Sequence, residues 1–379
     1  MKIVADENLK DVEKQFAGFG DVILLPGREI NASSVKDADV LLVRSVTPVS
    51  ESLLRNSVVK FVGTATSGTE HVDQSYLASR NIAFAHAHGS NAQAVVDYCI
   101  AVLFSNLNGF NTNNRKTIGI IGLGAVGFRL AMTIRLLDCA VIAFDPLLSE
   151  EGKLRAEALG IQLSQTLASV FSADVVSLHT PLTETGEYPT RYMVGSALLN
   201  KLPKDAVFIN ASRGGVVNQK ELLQFLKTRP DVFSVLDVWE DEPHIDLELL
   251  STVSLATPHF AGYSRNGKIL ATKMLRDSLN AHLGKPLIEK SEGKGEKYEM
   301  AIGDSSSVAA LLSLALPVSA WSRKFKQEML VSKNVAQTFD ETRKSMIDRR
   351  EIADCAVNKS KLEPAELMRA EKLGFDLRA

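Results

Sequence analysis

Short apolar, β-branched runs bounded by turn-forming residues recur along most of the chain, and segments of helical period separate them. That alternation predicts parallel α/β architecture, because two parallel strands need a crossover between them and a helix usually supplies it. Toward the N-terminus the pattern predicts strands over 2–5, 22–25, 40–43, 61–63 and 83–85. Residues 91–107 then read as one long helix so uniformly apolar that burial between domains or subunits is expected. Further strands are expected over 175–178, 207–210, 234–236 and 254–256. Past residue 285 the texture changes. The polar, glycine-bearing run Lys290-Ser291-Glu292-Gly293-Lys294-Gly295-Glu296-Lys297 reads as a linker or exposed loop. Beyond it lie an Ala-, Leu- and Val-rich segment, 306–320, and a charged stretch ending in Met346-Ile347-Asp348-Arg349-Arg350-Glu351, together expected to form a small α+β unit.

One stretch carries chemistry on its own. The apolar run Ile118-Gly119-Ile120-Ile121 leads into Gly122-Leu123-Gly124-Ala125-Val126-Gly127, and a second run, Ala140-Val141-Ile142-Ala143-Phe144, ends in Asp145. In such a unit one glycine makes the tight turn, one lets backbone approach a pyrophosphate, and one lets helix and strand pack closely. A helix starting near Ala125 would aim its free N–H groups at the phosphates. Asp145 would accept hydrogen bonds from both adenosine ribose hydroxyls and repel a 2′-phosphate, which predicts NAD rather than NADP.

Composition trims the alternatives. With 379 residues, 45% of them hydrophobic, the chain can fill two or three domain cores. A net charge of −2 offers no basic face for nucleic acid. Of the three cysteines, Cys99 and Cys139 sit in apolar stretches and read as packing residues rather than a disulfide or metal site. His71, His86 and His88 have no cysteine or acid at ligand spacing, so no metal is expected. The N-terminus reads directly as a strand, and no apolar run approaches membrane-spanning length, so a cytoplasmic protein is expected.

Three further segments set polar residues at predicted strand ends, the edge where open α/β sheets bind ligands. They are 208–218, containing Asn210-Ala211-Ser212-Arg213-Gly214-Gly215; 235–243, containing Asp237-Val238-Trp239-Glu240-Asp241-Glu242-Pro243; and 255–263, containing Thr257-Pro258-His259-Phe260-Ala261-Gly262-Tyr263. With His179-Thr180-Pro181-Leu182, these resemble the signature motifs of the D-isomer-specific 2-hydroxyacid dehydrogenases. The resemblance implies a catalytic set of Arg213, Glu242 and His259. His259 would be the base, Glu242 its orienting partner, and Arg213 the fork that grips the substrate carboxylate and the oxygen at carbon 2. Taken singly, each has an ordinary structural reading, and Glu240 competes with Glu242 for the histidine. The resemblance further implies an NAD site comprising Gly122, Gly124, Ala125, Val126, Gly127, Asp145, Thr180, Ala211, Ser212, Asp237 and Gly262.

Two N-terminal segments, 43–47 and 60–73, resemble those of family members acting on a phosphorylated sugar acid. They imply oxidation of 4-phospho-D-erythronate to (R)-3-hydroxy-2-oxo-4-phosphobutanoate in vitamin B6 biosynthesis, with Ser45, Thr66 and Tyr263 contacting substrate. Arg44 either adds charge near the phosphate or forms a surface salt bridge, and Arg349-Arg350 are expected on a solvated face rather than reaching a neighbouring subunit's site. The fold expected is two Rossmann-like lobes plus a small C-terminal α+β dimerisation domain of a homodimer. Residues 1–92 and 260–285 would form a substrate lobe, 93–259 an NAD lobe and 286–379 the extension. Two other readings stay open: a dehydrogenase of another D-2-hydroxy acid (3-phosphoglycerate, glycerate or lactate), and a non-catalytic NAD sensor on the same fold.

Overall fold

A computed structural model of the chain describes residues 1–106, 116–285, 298–299, 307–345 and 349–378; the expected linker at 290–297 and residues 346–348 lie outside them. The chain divides into two compact units, Met1–Asn91 with Ser264–Gly293, and Ala92–Tyr263 with Lys294–Ala379.

The first unit is built on β1 (Lys2–Asp6), β2 (Asp21–Leu25), β3 (Val40–Val43), β4 (Phe61–Thr64) and β5 (Ala83–His86), a parallel sheet in the order β2-β1-β3-β4-β5. All four residues of β3 and of β4 are buried, as strands covered by helices on both faces must be. The Arg265–His282 helix packs its Leu275 and Leu279 into this core with Phe16 and Phe61.

The second unit holds β6 (Thr117–Ile121), β7 (Ala140–Phe144), β8 (Gln162–Leu163), β9 (Val175–Leu178), β10 (Val207–Asn210), β11 (Phe233–Leu236) and β12 (Leu255–Ala256). The parallel order is β12-β11-β10-β9-β6-β7-β8. Strand order therefore reverses across β6 and β9, and ligands bind beyond the carboxyl ends of the strands at such a switch point. The long apolar helix, Ala92–Asn106, is buried in this unit's core, where it meets Ile118, Ile120 and the Ala125–Leu136 helix.

The C-terminal residues form the expected helices and a small parallel sheet, β13 (Tyr298–Glu299), β14 (Cys355–Asn358) and β15 (Asp376–Arg378), in that order. They do not stand apart as a third body: residues 294–379 group with the second unit. Packing explains this. Phe325 of the Val318–Val331 helix lies against Trp239 and Phe339, and Ser322 Oγ accepts the Ala256 N–H at 2.9 Å on the edge strand β12. All three cysteines are buried and none is in a disulfide; burial pushes the Cys99 thiol up to about 12 and Cys139 up to about 11, so neither is a reactive thiolate at neutral pH. Among the described residues no helix is long and apolar enough to cross a membrane.

Candidate active site

The turn after β6 is tight for a reason that can be measured. Gly122 has φ +88°, and a Cβ there would lie 2.7 Å from the His179 carbonyl oxygen. A Cβ on Gly127 would lie 1.9 Å from the Gly122 carbonyl oxygen, so helix and strand touch backbone to backbone. Gly124, the N-cap of the Ala125–Leu136 helix, has open space where a side chain would be, and no side chain caps the first turn. The first-turn N–H groups are thus left for an anion. Beside them the Thr180 hydroxyl is buried with no hydrogen-bond partner within the chain, a donor that a bound group can satisfy. Both observations fit a dinucleotide pyrophosphate. Asp145 follows β7, where its carboxylate accepts Leu123 N–H at 2.8 Å and Leu147 N–H at 3.1 Å. Those bonds fix its orientation at the end of the sheet and leave each oxygen one acceptor site.

Arg213, Glu242 and His259 all belong to the second unit. The Asn210 side chain at the end of β10 accepts Ser212 N–H and Oγ–H and donates to the Arg213 carbonyl, which folds the loop presenting Arg213. Glu242 Oε1 accepts Trp239 N–H at 2.8 Å, and Oε2 meets His259 Nδ1 at 2.7 Å. Glu240 is not the partner; its N–H donates to the Gln219 side chain, and the carboxylate on His259 is that of Glu242. His259 itself has φ +53°, a left-handed conformation that is strained for histidine. Asp237 holds it there. Its carbonyl accepts His259 N–H at 2.6 Å, and its buried carboxylate accepts Phe260 N–H, Ala261 N–H and Thr257 Oγ1–H. Tyr98, from the long helix, hydrogen-bonds Thr257 at 2.8 Å and extends the brace.

Electrostatics separate the histidines. Burial opposes the charged form of His259, but Glu242, its hydrogen bond and Asp237 outweigh burial and a nearby Arg213, and the imidazole is held above its ordinary value. Burial likewise opposes ionisation of Glu242, yet the imidazole beside it keeps that carboxyl below its usual range. His179 has Ser177 as its hydrogen-bond partner, and burial pushes it down to about 4. Of these two only His259 is built to take and hold a proton, and 35% of its side-chain surface remains open to solvent. Ala211, Gly262 and Tyr263 are half-buried on the same loops, and Ser212 is buried.

In the first unit Ser45 is exposed in the turn after β3. Thr66 closes a polarised chain. Its hydroxyl donates to the Gly68 carbonyl at 2.7 Å, so Thr64 must donate to Thr66 and accept from His71 Nε2–H. Burial lowers His71, consistent with a neutral ring in that role. Arg44 forms an ion pair, with Nε 3.0 Å from the fully buried Asp6 carboxylate.

One expectation is overturned. Arg349 is not on a solvated face but 93% buried, with its guanidinium on backbone carbonyls of Ala94, Ala261 and Tyr263. Sequence reasoning also assigned no part to Asn210, Gly214 or Tyr98. A polar Asn ending an otherwise apolar strand was the available signal for Asn210; the other two depend on contacts distant in sequence.

Residues 102–261 match the family model described as D-isomer specific 2-hydroxyacid dehydrogenase, NAD binding domain. The erythronate-4-phosphate dehydrogenase of Hahella chejuensis is 44% identical over 293 residues, covering 76% of this chain and 74% of that one. The enzyme of the same name from a Marinomonas species is 38% identical over 389 residues, covering 99% and 100%. Among solved structures, NAD-bound 3-phosphoglycerate dehydrogenase of Entamoeba histolytica aligns with TM-score 0.62 at 22% identity, covering 78% of this chain and 99% of that one. D-lactate dehydrogenase of Aquifex aeolicus with NAD and lactic acid aligns with TM-score 0.60 at 20% identity, covering 75% and 96%. At those identities the two structures speak for the fold alone.

Proposed function

The chain belongs to the D-isomer specific 2-hydroxyacid dehydrogenase family, and from that premise we infer that it oxidises 4-phospho-D-erythronate to (R)-3-hydroxy-2-oxo-4-phosphobutanoate with NAD, a step of vitamin B6 biosynthesis. The observation that carries the substrate is the relative of that name aligned over essentially the whole chain, extension included. The observation that carries the chemistry is a histidine paired with a carboxylate beside an arginine.

NAD, when bound, accepts the hydrogen of carbon 2 with its electron pair. The chain's own residues do the rest. Glu242 accepts Nδ1–H of His259, which leaves the Nε2 lone pair to take the substrate hydroxyl proton; the same carboxylate then stabilises the imidazolium. Arg213 grips the substrate carboxylate and polarises the oxygen at carbon 2. Ser45, Thr66 and Tyr263 are assigned to the rest of the substrate, phosphate included. Gly122, Gly124, Ala125, Val126, Gly127, Thr180, Ala211, Ser212 and Gly262 line the cofactor's place, Asp145 takes the ribose, and Asp237 shapes the turn that carries His259. We assign the protein to the cytoplasm as a homodimer. Leu314, Leu330, Val331 and Met368, exposed on the C-terminal helices, support an association surface there.

The test is NADH formation by purified protein given NAD and 4-phosphoerythronate, with and without a 2-oxo acid acceptor, beside erythronate and 3-phosphoglycerate. Turnover confined to 4-phosphoerythronate is expected. Preference for another acid would keep the mechanism and discard the substrate, and NAD binding without any turnover would favour the sensor. Asp145→Ala is expected to weaken NADH binding by about tenfold to a hundredfold, the worth of hydrogen bonds to a charged group. Fluorescence titration measures it, and an unchanged affinity would remove the ribose assignment.

A further inference from the structure

The C-terminal segment touches the histidine's turn at three separate points. Ser322 accepts the N–H of Ala256, at the turn's entry. The Trp321 ring stands edge-on against Phe260, the residue after His259, with centroids 5.3 Å apart. Arg349 reaches furthest: Nη2 donates to the carbonyls of Ala261 at 2.6 Å and Ala94 at 2.9 Å, while Nε donates to the carbonyl of Tyr263 at 2.5 Å. The other side of the same turn is held by the Asp237 carboxylate through Phe260 N–H and Ala261 N–H. The peptides after His259 are therefore clamped from both sides, N–H groups by a buried carboxylate and carbonyls by a buried guanidinium.

A buried guanidinium requires compensation. The carboxyl groups of Asp97, Asp237 and Glu351 stand around Arg349, although burial pushes Asp97 up to about 7 and raises Asp237 as well; Asp97 also accepts Ile352 N–H at 2.8 Å, which anchors the segment just past the arginine. A surface arginine would satisfy its donors with water at no such cost. A left-handed histidine persists only where its surroundings over-determine it, and Trp321 and Arg349 supply part of those surroundings.

We propose that Arg349 is a positioning residue for the reaction, its planar fork fixing the 261–263 peptides so that His259 and the Tyr263 side chain are held in register; the C-terminal extension is thereby part of the catalytic apparatus and not solely a surface for association. The proposal rests on the dehydrogenase reading above. It concerns the chain's own backbone, so it has a readout that needs no turnover.

The experiment compares Arg349→Gln and Arg349→Lys with the unaltered full-length protein. Deuterium exchange is read for amides 257–263, alongside kcat, KM for 4-phosphoerythronate and the NADH Kd. For Arg349→Gln, exchange should rise at least tenfold at 260–263 with the strands of the second unit unchanged. Its kcat should fall at least tenfold and KM rise, while the NADH Kd stays within about threefold, because the phosphate cradle is elsewhere. Lysine keeps the charge without the fork, and should fold and recover only part of kcat. Uniformly raised exchange in both variants would mean that Arg349 serves global stability alone, and would overturn the proposal. So would a Gln variant with exchange, kcat and KM within twofold of the unaltered protein. If Arg349→Gln fails to fold, the Lys variant decides: full kcat and unaltered exchange reject the fork. An unaltered protein inactive on 4-phosphoerythronate would count against the substrate assignment, and the exchange data would still judge the clamp.

Discussion

Replacing His259 with asparagine is expected to lower kcat for 4-phosphoerythronate oxidation by about a hundred- to ten-thousandfold, the range removed with a general base, and to leave NADH affinity within about threefold. Asparagine suits this test because the position has φ +53°, a conformation asparagine tolerates better than most residues. The backbone can then stay on its Asp237 anchor while the proton acceptor disappears. The pH dependence follows the same logic. Oxidation needs the imidazole neutral, and Glu242 and Asp237 hold it above its ordinary value against burial, so kcat/KM should rise with pH through an inflection above 6.5. Glu242→Gln removes the main favourable charge and leaves burial in place. The inflection should then move down in pH and turnover should fall, because the imidazolium loses its partner. A His259→Asn variant retaining a tenth of the activity or more would show that the proton leaves by another route.

Much of this site is legible in the sequence because it is written in short motifs at strand ends. Strands such as 40–43, 175–178 and 207–210 are buried along their whole length and read as short, mostly apolar runs, so their bounds in the structure match those expected. β8, only Gln162–Leu163 at the sheet's edge, is too short to make a pattern. Glu240 competes with Glu242 for the histidine, the family spacing favours the one before proline, and Glu242 is the one that lies 2.7 Å from His259. What the sequence does not carry is how the catalytic loops are held. Arg349 stands in a charged stretch that reads as solvated, while its acceptors lie 86 to 255 residues away and are backbone carbonyls, which leave no mark on side-chain chemistry. Asp237 illustrates the reverse: its place at a strand end suggested ligand contact, yet both carboxylate oxygens accept hydrogen bonds from within the chain.

Gly214→Ala is expected to be the most damaging single-methyl change near the site. A Cβ at Gly214 would lie 2.0 Å from the Trp239 carbonyl oxygen, 2.1 Å from its carbon and 2.6 Å from the Glu240 nitrogen. All three are backbone atoms, so no side chain can swing aside, and the loops after β10 and β11 must part. Those loops carry Arg213 and Glu242, and Trp239 N–H is the donor that fixes Glu242 Oε1. Overpacking of this kind costs about 1–3 kcal/mol or more, and displacing catalytic groups by about 1 Å is worth roughly a hundredfold in rate. We therefore expect kcat/KM to fall about a hundredfold or further, with a lowered melting temperature. Gly215→Ala is the matched control, because its Cβ would meet only the flexible Leu182 side chain at 3.3 Å and should be tolerated. Gly124→Ala separates fold from ligand: nothing lies within 4 Å of its Cβ, so it should melt normally yet bind NADH more weakly if phosphate approaches there. Thermal melts, NADH titration and steady-state rates on the three variants distinguish these fates. Equal tolerance of alanine at 214 and 215 would mean that backbone contact between the two loops is not what sets Arg213 beside the Glu242–His259 pair.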